Sequence, residues 1–483
     1  MPKQKKQPRD HQKMQQQLAS SKETCWERWS EATIKEAFTF AEGYKEFLNK
    51  AKTEREGVEE GIKVAEDNGF VDVEKKKEIK PGDKIYFSHR GKSLIFARVG
   101  EKGLEKGTKM VMSHIDSPHL DLKVSPLYEE ENIAFLKTHY YGGIKKYQWP
   151  TIALSLHGKV YLKDGKEVDI NIGEKEGDPV FMITDLLPHL DRAGGPGSTI
   201  SSREVEGEHL NMVAGSIPVK LNKKEKMEER VKLAILEYLY DHYGMVEEDL
   251  SSAELQAVPS EKPRDLGFDR SMMSAYGHDD RICCYSSLQA LLHSKEAERT
   301  QICIWVDREE IGSEGSTSAQ SIFIERFLSL LNEKMTGQRS SISDIYKVFS
   351  QSTGISADVT GALDPDYKDV HEPRNAPRMH YGIAVEKYTG AKGKLATSEA
   401  SGEFLRDLRN VFGKDKNILY QLGGGLGKID QGGGGTIAKF MANRDIDIVD
   451  MGTPLFNMHA PLEIASKGDL YSAYLGYRRF LEE

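Results

Sequence analysis

The stretch Met110-Val111-Met112-Ser113-His114-Ile115-Asp116-Ser117-Pro118-His119 decides how this chain is read. Met110-Val111-Met112 is a short apolar run with β character, preceded by turn residues around Gly103 and Gly107. His114 is therefore expected where a buried strand ends and its loop begins. Open α/β sheets present their chemistry at such ends. An imidazole and a carboxylate two residues apart suit a metal ligand and its orienting partner. They equally suit a core histidine followed by a turn aspartate, because a two-residue motif alone is a weak signal. The remainder of the chain has to choose between them.

Composition narrows the classes. With 483 residues the chain has room for two or three domains, or for one large domain carrying an insertion. A net charge of −9 gives no electrostatic case for nucleic acid. No apolar run approaches the roughly 20 residues of a membrane helix, so no membrane partner is expected. Residues 1–22 are rich in Lys and Gln and lack the apolar segment of a secretory signal, and they read as a flexible arm. The four cysteines, Cys25, Cys283, Cys284 and Cys303, show no CxxC spacing. Neither a disulfide framework nor a zinc knuckle is indicated, and a cytoplasmic location is the simplest expectation.

Apolar residues at helical spacing predict one or two helices over 31–68. Alternation on both sides of His89-Arg90-Gly91-Lys92 predicts a hairpin over 84–99. Past Ser125 the character changes. Strands are predicted at 151–156 and 159–162, then a turn at Asp164-Gly165 and a further alternating strand. A Gly/Ser/Pro-rich loop at 194–202 and a helix over 226–243 follow. From Glu248 onward strands alternate with helices, and the strand at 302–306 is apolar enough to be buried on both faces. The fold class is α/β, with a mostly parallel central sheet flanked by helices and an inserted β-rich domain. The expected division is 1–126 and 248–483 for the main domain, with 127–247 inserted.

Four further clusters stand beside predicted strands or turns. They are His278-Asp279-Asp280-Arg281 before a helix, Asp307-Arg308-Glu309-Glu310 after the strand ending at Val306, Ser356-Ala357-Asp358, and Asn457-Met458-His459. Each has a bland reading: a helix cap for Asp279 and Asp280, a solvated charge run for Glu309 and Glu310, an ordinary strand aspartate, a core histidine. All of them together at strand ends of one domain suit a two-metal hydrolytic site. Such a site takes His nitrogen and carboxylate oxygen as ligands, one bridging carboxylate, and one carboxylate free to move a proton.

In this order the motifs His114-Ile115-Asp116-Ser117-Pro118, Asp279-Asp280-Arg281, Glu309-Glu310-Ile311-Gly312-Ser313, Ser356-Ala357-Asp358 and Met458-His459 resemble those of the M18 metallo-aminopeptidases, which include the aspartyl aminopeptidases. The resemblance runs from about residue 35 to the C-terminus and takes in Gly433-Gly434-Gly435-Thr436 and Asp450-Met451-Gly452-Thr453-Pro454. It implies a zinc-exopeptidase-like fold and a binuclear, metal-dependent aminopeptidase that removes N-terminal residues from peptides. It implies two divalent ions per subunit, zinc first and Mn²⁺ or Co²⁺ as alternatives. His114 and Asp358 would hold one ion, Glu310 and His459 the other, and Asp279 would bridge, with Asp280 the fallback. Asp116 would orient His114 through its far ring nitrogen. Glu309 would be the general base toward a metal-bridging water. The inserted domain would mediate dimers, and the dimers would build a dodecamer.

Two places depart from the acid-selective members. Tyr147 stands where several carry a histidine that reaches a neighbouring subunit. In the segment Val385-Glu386-Lys387-Tyr388, either Glu386 or Lys387 takes the place of their substrate-binding lysine, and Glu386 there would disfavour acidic substrates. Gly423-Gly424-Gly425-Leu426-Gly427-Lys428 fails as a phosphate loop on spacing and on Ile429 after the lysine. His119 and His278 adjoin motifs without a role in the set. The alternatives are another two-metal exopeptidase or amidohydrolase, such as a dipeptidase or carboxypeptidase, and a catalytically silent assembly protein. The complete ligand set argues against the last.

Overall fold

The computed structural model describes residues 11–19, 23–187, 189–190, 205–222, 226–390 and 392–483. Its centre is a nine-stranded sheet in the order Val71–Asp72, Lys84–His89, Ser93–Arg98, Thr300–Val306, Thr108–His114, Thr353–Ser356, Asp447–Gly452, Ile383–Glu386, Tyr420–Gly423. The four middle strands run parallel. Ser93–Arg98 joins them antiparallel on one side and Ile383–Glu386 on the other. The sheet is therefore mixed, and the expectation of a mostly parallel sheet holds for its middle. A short turn between Lys84–His89 and Ser93–Arg98 permits only antiparallel pairing, because parallel pairing needs a long crossover.

Side-chain alternation divides the core in two. On Thr300–Val306, Cys303 and Trp305 enter one apolar cluster while Ile302, Ile304 and Val306 enter the other. On Thr108–His114, Val111 goes with the first and Met110 and Met112 with the second. Helices Glu31–Lys50, His278–His293 and Lys467–Leu481 cover the first face, and Phe323–Thr336 and Ile342–Ser350 the second. The helices at 31–68 are two, Glu31–Lys50 capped by Ser30 and Glu54–Asp67 opened by a Thr53/Glu56 capping box.

A second sheet of seven strands is antiparallel throughout. Its strands span His119 to Pro259, a stretch that contains 127–247 and reaches beyond it on both sides. Segments 151–156 and 159–162 belong to one strand, Leu154–Tyr161. Gly158 lets it pass there: its φ is +139°, and a Cβ would stand 1.9 Å from the Glu254 carbonyl. A third sheet of five short strands, Arg264–Leu266, Met272–Ala275, Glu463–Ser466, Pro454–Phe456 and Thr360–Gly361, was not expected, since two to four residues give no readable period. Helix Ile342–Ser350 was missed as well. Within the expected flexible arm, His11–Leu18 is a helix, while 1–10 and 20–22 lie outside the described residues. The Gly/Ser/Pro-rich loop at 194–202 also lies outside them.

Trp305 is fully buried, with its ring 5.1 Å from Phe96 and 5.9 Å from Phe47. Gly61 leaves the space it fills, because a Cβ there would lie 2.4 Å from the indole. Trp305→Ala should cost about 3–5 kcal/mol of stability, read from the shift in urea denaturation. A loss below about 1 kcal/mol would contradict this packing.

Candidate metal centre

The chemistry collects where the middle strands end. His114 is the last residue of Thr108–His114. Glu309 and Glu310 sit in the 3₁₀ turn Glu309–Ile311, reached from the neighbouring strand through Arg308 in left-handed conformation. Asp358 lies two residues past Thr353–Ser356. Asp279 opens helix His278–His293 in non-helical conformation (φ −81°, ψ 107°). His459, at φ +66°, follows the short strand Pro454–Phe456.

Two groups of ligand atoms form, and they share one residue. His114, Asp279 and Asp358 make the first; Asp279, Glu310 and His459 make the second. Within each, the ligand atoms lie within 4.8 Å of one another. His114 Nε2 stands 3.1 Å from Asp279 Oδ1 and 3.8 Å from Asp358 Oδ1. His459 Nε2 stands 3.2 Å from Asp279 Oδ2 and 3.3 Å from Glu310 Oε2. Asp279 thus offers one oxygen to each group, and Asp280 belongs to neither. Asp280 Oδ2 instead accepts from the His114 main-chain N–H at 3.3 Å.

Both imidazoles are turned the same way. His114 Nδ1 donates to the Asp116 carbonyl at 3.0 Å, and His459 Nδ1 donates to the Gly143 carbonyl at 2.7 Å. Each donation fixes the tautomer and leaves Nε2 free as a ligand. The role expected of Asp116 is changed in one respect. Its main-chain oxygen holds His114, while its carboxylate Oδ1 is 3.5 Å from Nδ1. The carboxylate accepts from the N–H groups of Glu309 and Glu310, each at 3.2 Å, and from the Tyr141 hydroxyl at 2.8 Å. Asp116 therefore also anchors the Glu309–Glu310 turn.

Three supporting groups escaped the sequence reading. Glu463 accepts from the N–H of Asp279 at 3.0 Å and of His459 at 2.8 Å, pinning residues of both groups with one carboxylate. Tyr141 and Gly143 reach in from the second sheet and its following loop. Gly142 between them has φ +75°, and a Cβ there would press on Glu310 and Pro118 at 3.3 Å. In the sequence this stretch stood out only as the one that places Tyr147 where related chains carry a histidine that reaches a neighbouring subunit. Tyr147 is two-thirds exposed. His119 stacks on Tyr141 at 4.4 Å and hydrogen-bonds Asp121, and His278 bonds Tyr44; neither joins the ligand groups.

A cavity of about 200 Å³ opens over these residues. It continues past Asp358 to Glu386, Asp450 and the Gly433-Gly434-Gly435-Thr436 segment. Burial pushes Glu309 up to about 8, with the Asp358 charge adding and His114 opposing. Burial also raises Glu310 and Asp358. Burial acts on Asp279 in the same sense, but the imidazoles of His114 and His459 overcome it and hold this carboxylate below the usual range. Burial lowers His459, yet Asp279 and Glu310 carry it up to about 11, and His114 is likewise raised by its three carboxylates against burial. The buried Asp279 Oδ1 and Glu310 Oε1 have no hydrogen-bond partner. Buried carboxylate oxygens gathered around the Nε2 atoms of two imidazoles are a donor set for divalent cations of the zinc, manganese or cobalt type.

Comparison with known proteins agrees with this chemistry. The model of the family described as aminopeptidase I zinc metalloprotease (M18) matches residues 47–481. A probable M18 family aminopeptidase 1 of Borrelia garinii subspecies bavariensis is 44% identical over 463 residues, covering 96% of this chain and 100% of the relative. The crystal structure of an M18 family aminopeptidase from Thermotoga maritima superposes with a TM-score of 0.90 at 43% identity, covering 96% of this chain and 99% of that one. A more distant structure, a yeast (Saccharomyces cerevisiae) mApe1 dodecamer, shares the fold at TM-score 0.71 and 19% identity, covering 92% and 96%.

Groups raised above 7 hold protons at neutral pH in the metal-free protein, and ligands must shed protons to bind metal. Zinc loading at pH 7 should therefore release protons. Calorimetry in buffers of different ionisation enthalpy should show an apparent enthalpy that depends on the buffer. An enthalpy independent of the buffer would contradict the protonated cluster.

Proposed function

The chain belongs to the M18 family of zinc aminopeptidases, and on that premise we propose that it is a binuclear enzyme removing N-terminal residues from peptides. The observation that carries this reading is the sharing of Asp279 between two ligand groups while Glu309, beside them, belongs to neither. His114 and Asp358 would hold one ion, Glu310 and His459 the other, and Asp279 both. Zinc is the ion the family description names, and the His and carboxylate donors also accept Mn²⁺ or Co²⁺. When bound, the ions supply Lewis acidity toward the scissile carbonyl and toward water.

The side chains divide the remaining work. Glu309 takes a proton from the attacking water and returns it to the leaving amine, the task of a general base turned general acid. Burial raises Glu309 in the metal-free protein, and two dications beside it would draw it back toward the ionised form a base needs. Asp116 fixes the turn on which Glu309 and Glu310 stand, and Glu463 fixes Asp279 and His459 against each other. Among the described residues no lysine or arginine lines the cavity. A peptide's free amine finds acidic groups there, and a terminal carboxylate finds no lysine or arginine. This favours an aminopeptidase over a carboxypeptidase.

The second sheet is proposed as the dimerisation element of a homo-oligomer, with dimers assembling into a dodecamer. Val124, Val180 and Ile217 on this part of the chain are exposed apolar residues, and the yeast relative is described as a dodecamer. No helix of the described residues is long and apolar enough to cross a membrane. The four cysteines are buried and unpaired, and a cytoplasmic location is proposed on that account.

Glu309→Gln should retain its metal and its melting temperature while kcat falls by about 10²–10⁴-fold, measured on aminoacyl fluorogenic substrates. Near-full activity in that variant would remove the general base from this account.

A further inference from the structure

Strand Ile383–Glu386 runs antiparallel to Asp447–Gly452, with Glu386 directly opposite Asp450. Opposite residues of such a pair project from the same face, and like charges in that position are unfavourable. Both side chains are about 94% buried, and both line the far part of the cavity that holds the metal ligands. Asp450 accepts from the Thr436 hydroxyl at 2.6 Å, and Glu386 Oε1 accepts from the Thr360 hydroxyl at 2.7 Å. Glu386 Oε2 has no hydrogen bond, and neither carboxylate has an ion-pair partner, among the described residues. Lys387 gives none: it is half-exposed and pairs with Glu399 at 3.7 Å. Beside the two acids the wall is apolar, with Val359, Leu426 and Met451.

We propose that this end of the cavity receives a cationic side chain, so that the enzyme selects peptides beginning with lysine or arginine, with Glu386 as its specificity-determining residue and Asp450 beside it. The inference rests on the aminopeptidase reading and deepens it. An aliphatic stem lies along Val359, Leu426 and Met451 while its charged head reaches the two acids, the usual division for long basic side chains. The incoming cation supplies the partner that the fold withholds from Glu386. An acidic side chain would bring a third carboxylate against these two and is rejected, a repulsive device of the kind that sets specificity.

The test is kinetic, with a binding arm. Zinc-loaded wild type and Glu386→Gln are assayed on the 7-amido-4-methylcoumarin derivatives of lysine, arginine, norleucine and glutamate. Norleucine keeps the stem of lysine without its charge. The wild type should favour lysine and arginine over norleucine in kcat/KM by about 10–100-fold, as one charge-assisted contact in a buried site allows, and should place glutamate last. Glu386→Gln should lower the lysine-to-norleucine ratio by a similar factor. An unchanged ratio in Glu386→Gln, or a wild type that prefers norleucine or glutamate, would overturn the proposal. Calorimetry of wild type with L-lysinamide and L-norleucinamide separates the two readings. If no substrate turns over but lysinamide binds about tenfold tighter, the aminopeptidase reading falls and this pocket stands. If all substrates turn over and the two amides bind alike, this pocket falls and the aminopeptidase stands.

Discussion

The structure turns on the Asp279 carboxylate, held between the imidazoles of His114 and His459 with one oxygen toward each. Those histidines come from chain segments more than 340 residues apart in a 483-residue chain. One ends a strand in the middle of the central sheet and the other follows a short strand of the third sheet. Bringing them to a single carboxylate requires both sheets and the helix that Asp279 opens. Glu463 secures the arrangement by accepting from the backbones of Asp279 and His459 together.

Electrostatics explains why such a cluster is built for cations. Glu309, Glu310, Asp358 and Asp279 share one buried site, and burial alone opposes their charge. Two histidines offset part of it. Without metal the rest is met by protons, and with metal those protons are displaced. A buried cluster of like charges is costly unless something neutralises it, so its retention beside a shaped cavity marks function rather than stability. The same reasoning extends to Glu386 and Asp450 in the same cavity, neither of which pairs with His114 or His459.

Much of the site was legible in the sequence because its residues stand at strand ends, and strand ends follow from short apolar runs such as 110–112 and 302–306. The parts that were not legible depend on tertiary proximity. Glu463 touches Asp279 across 184 positions and Gly143 touches His459 across 316, and neither carries a local pattern. Asp116 was recognisable as the partner of His114, but only coordinates separate its carbonyl from its carboxylate. The choice between Glu386 and Lys387 was a question of one residue of register, which exchanges the faces of a strand. In the structure Glu386 stands opposite Asp450 and lines the cavity, and Lys387 does not. The mixed edges of the central sheet and the short strands of the third sheet were hidden for the same reason.

Anomalous X-ray diffraction at the zinc absorption edge, on crystals of the zinc-loaded protein, tests the central claim most directly. Two peaks about 3.5–4 Å apart are expected, one against His114 and Asp358, the other against His459 and Glu310, with Asp279 touching both. A single peak, or peaks that leave Asp279 bound to one ion only, would contradict the shared-carboxylate site on which the account rests.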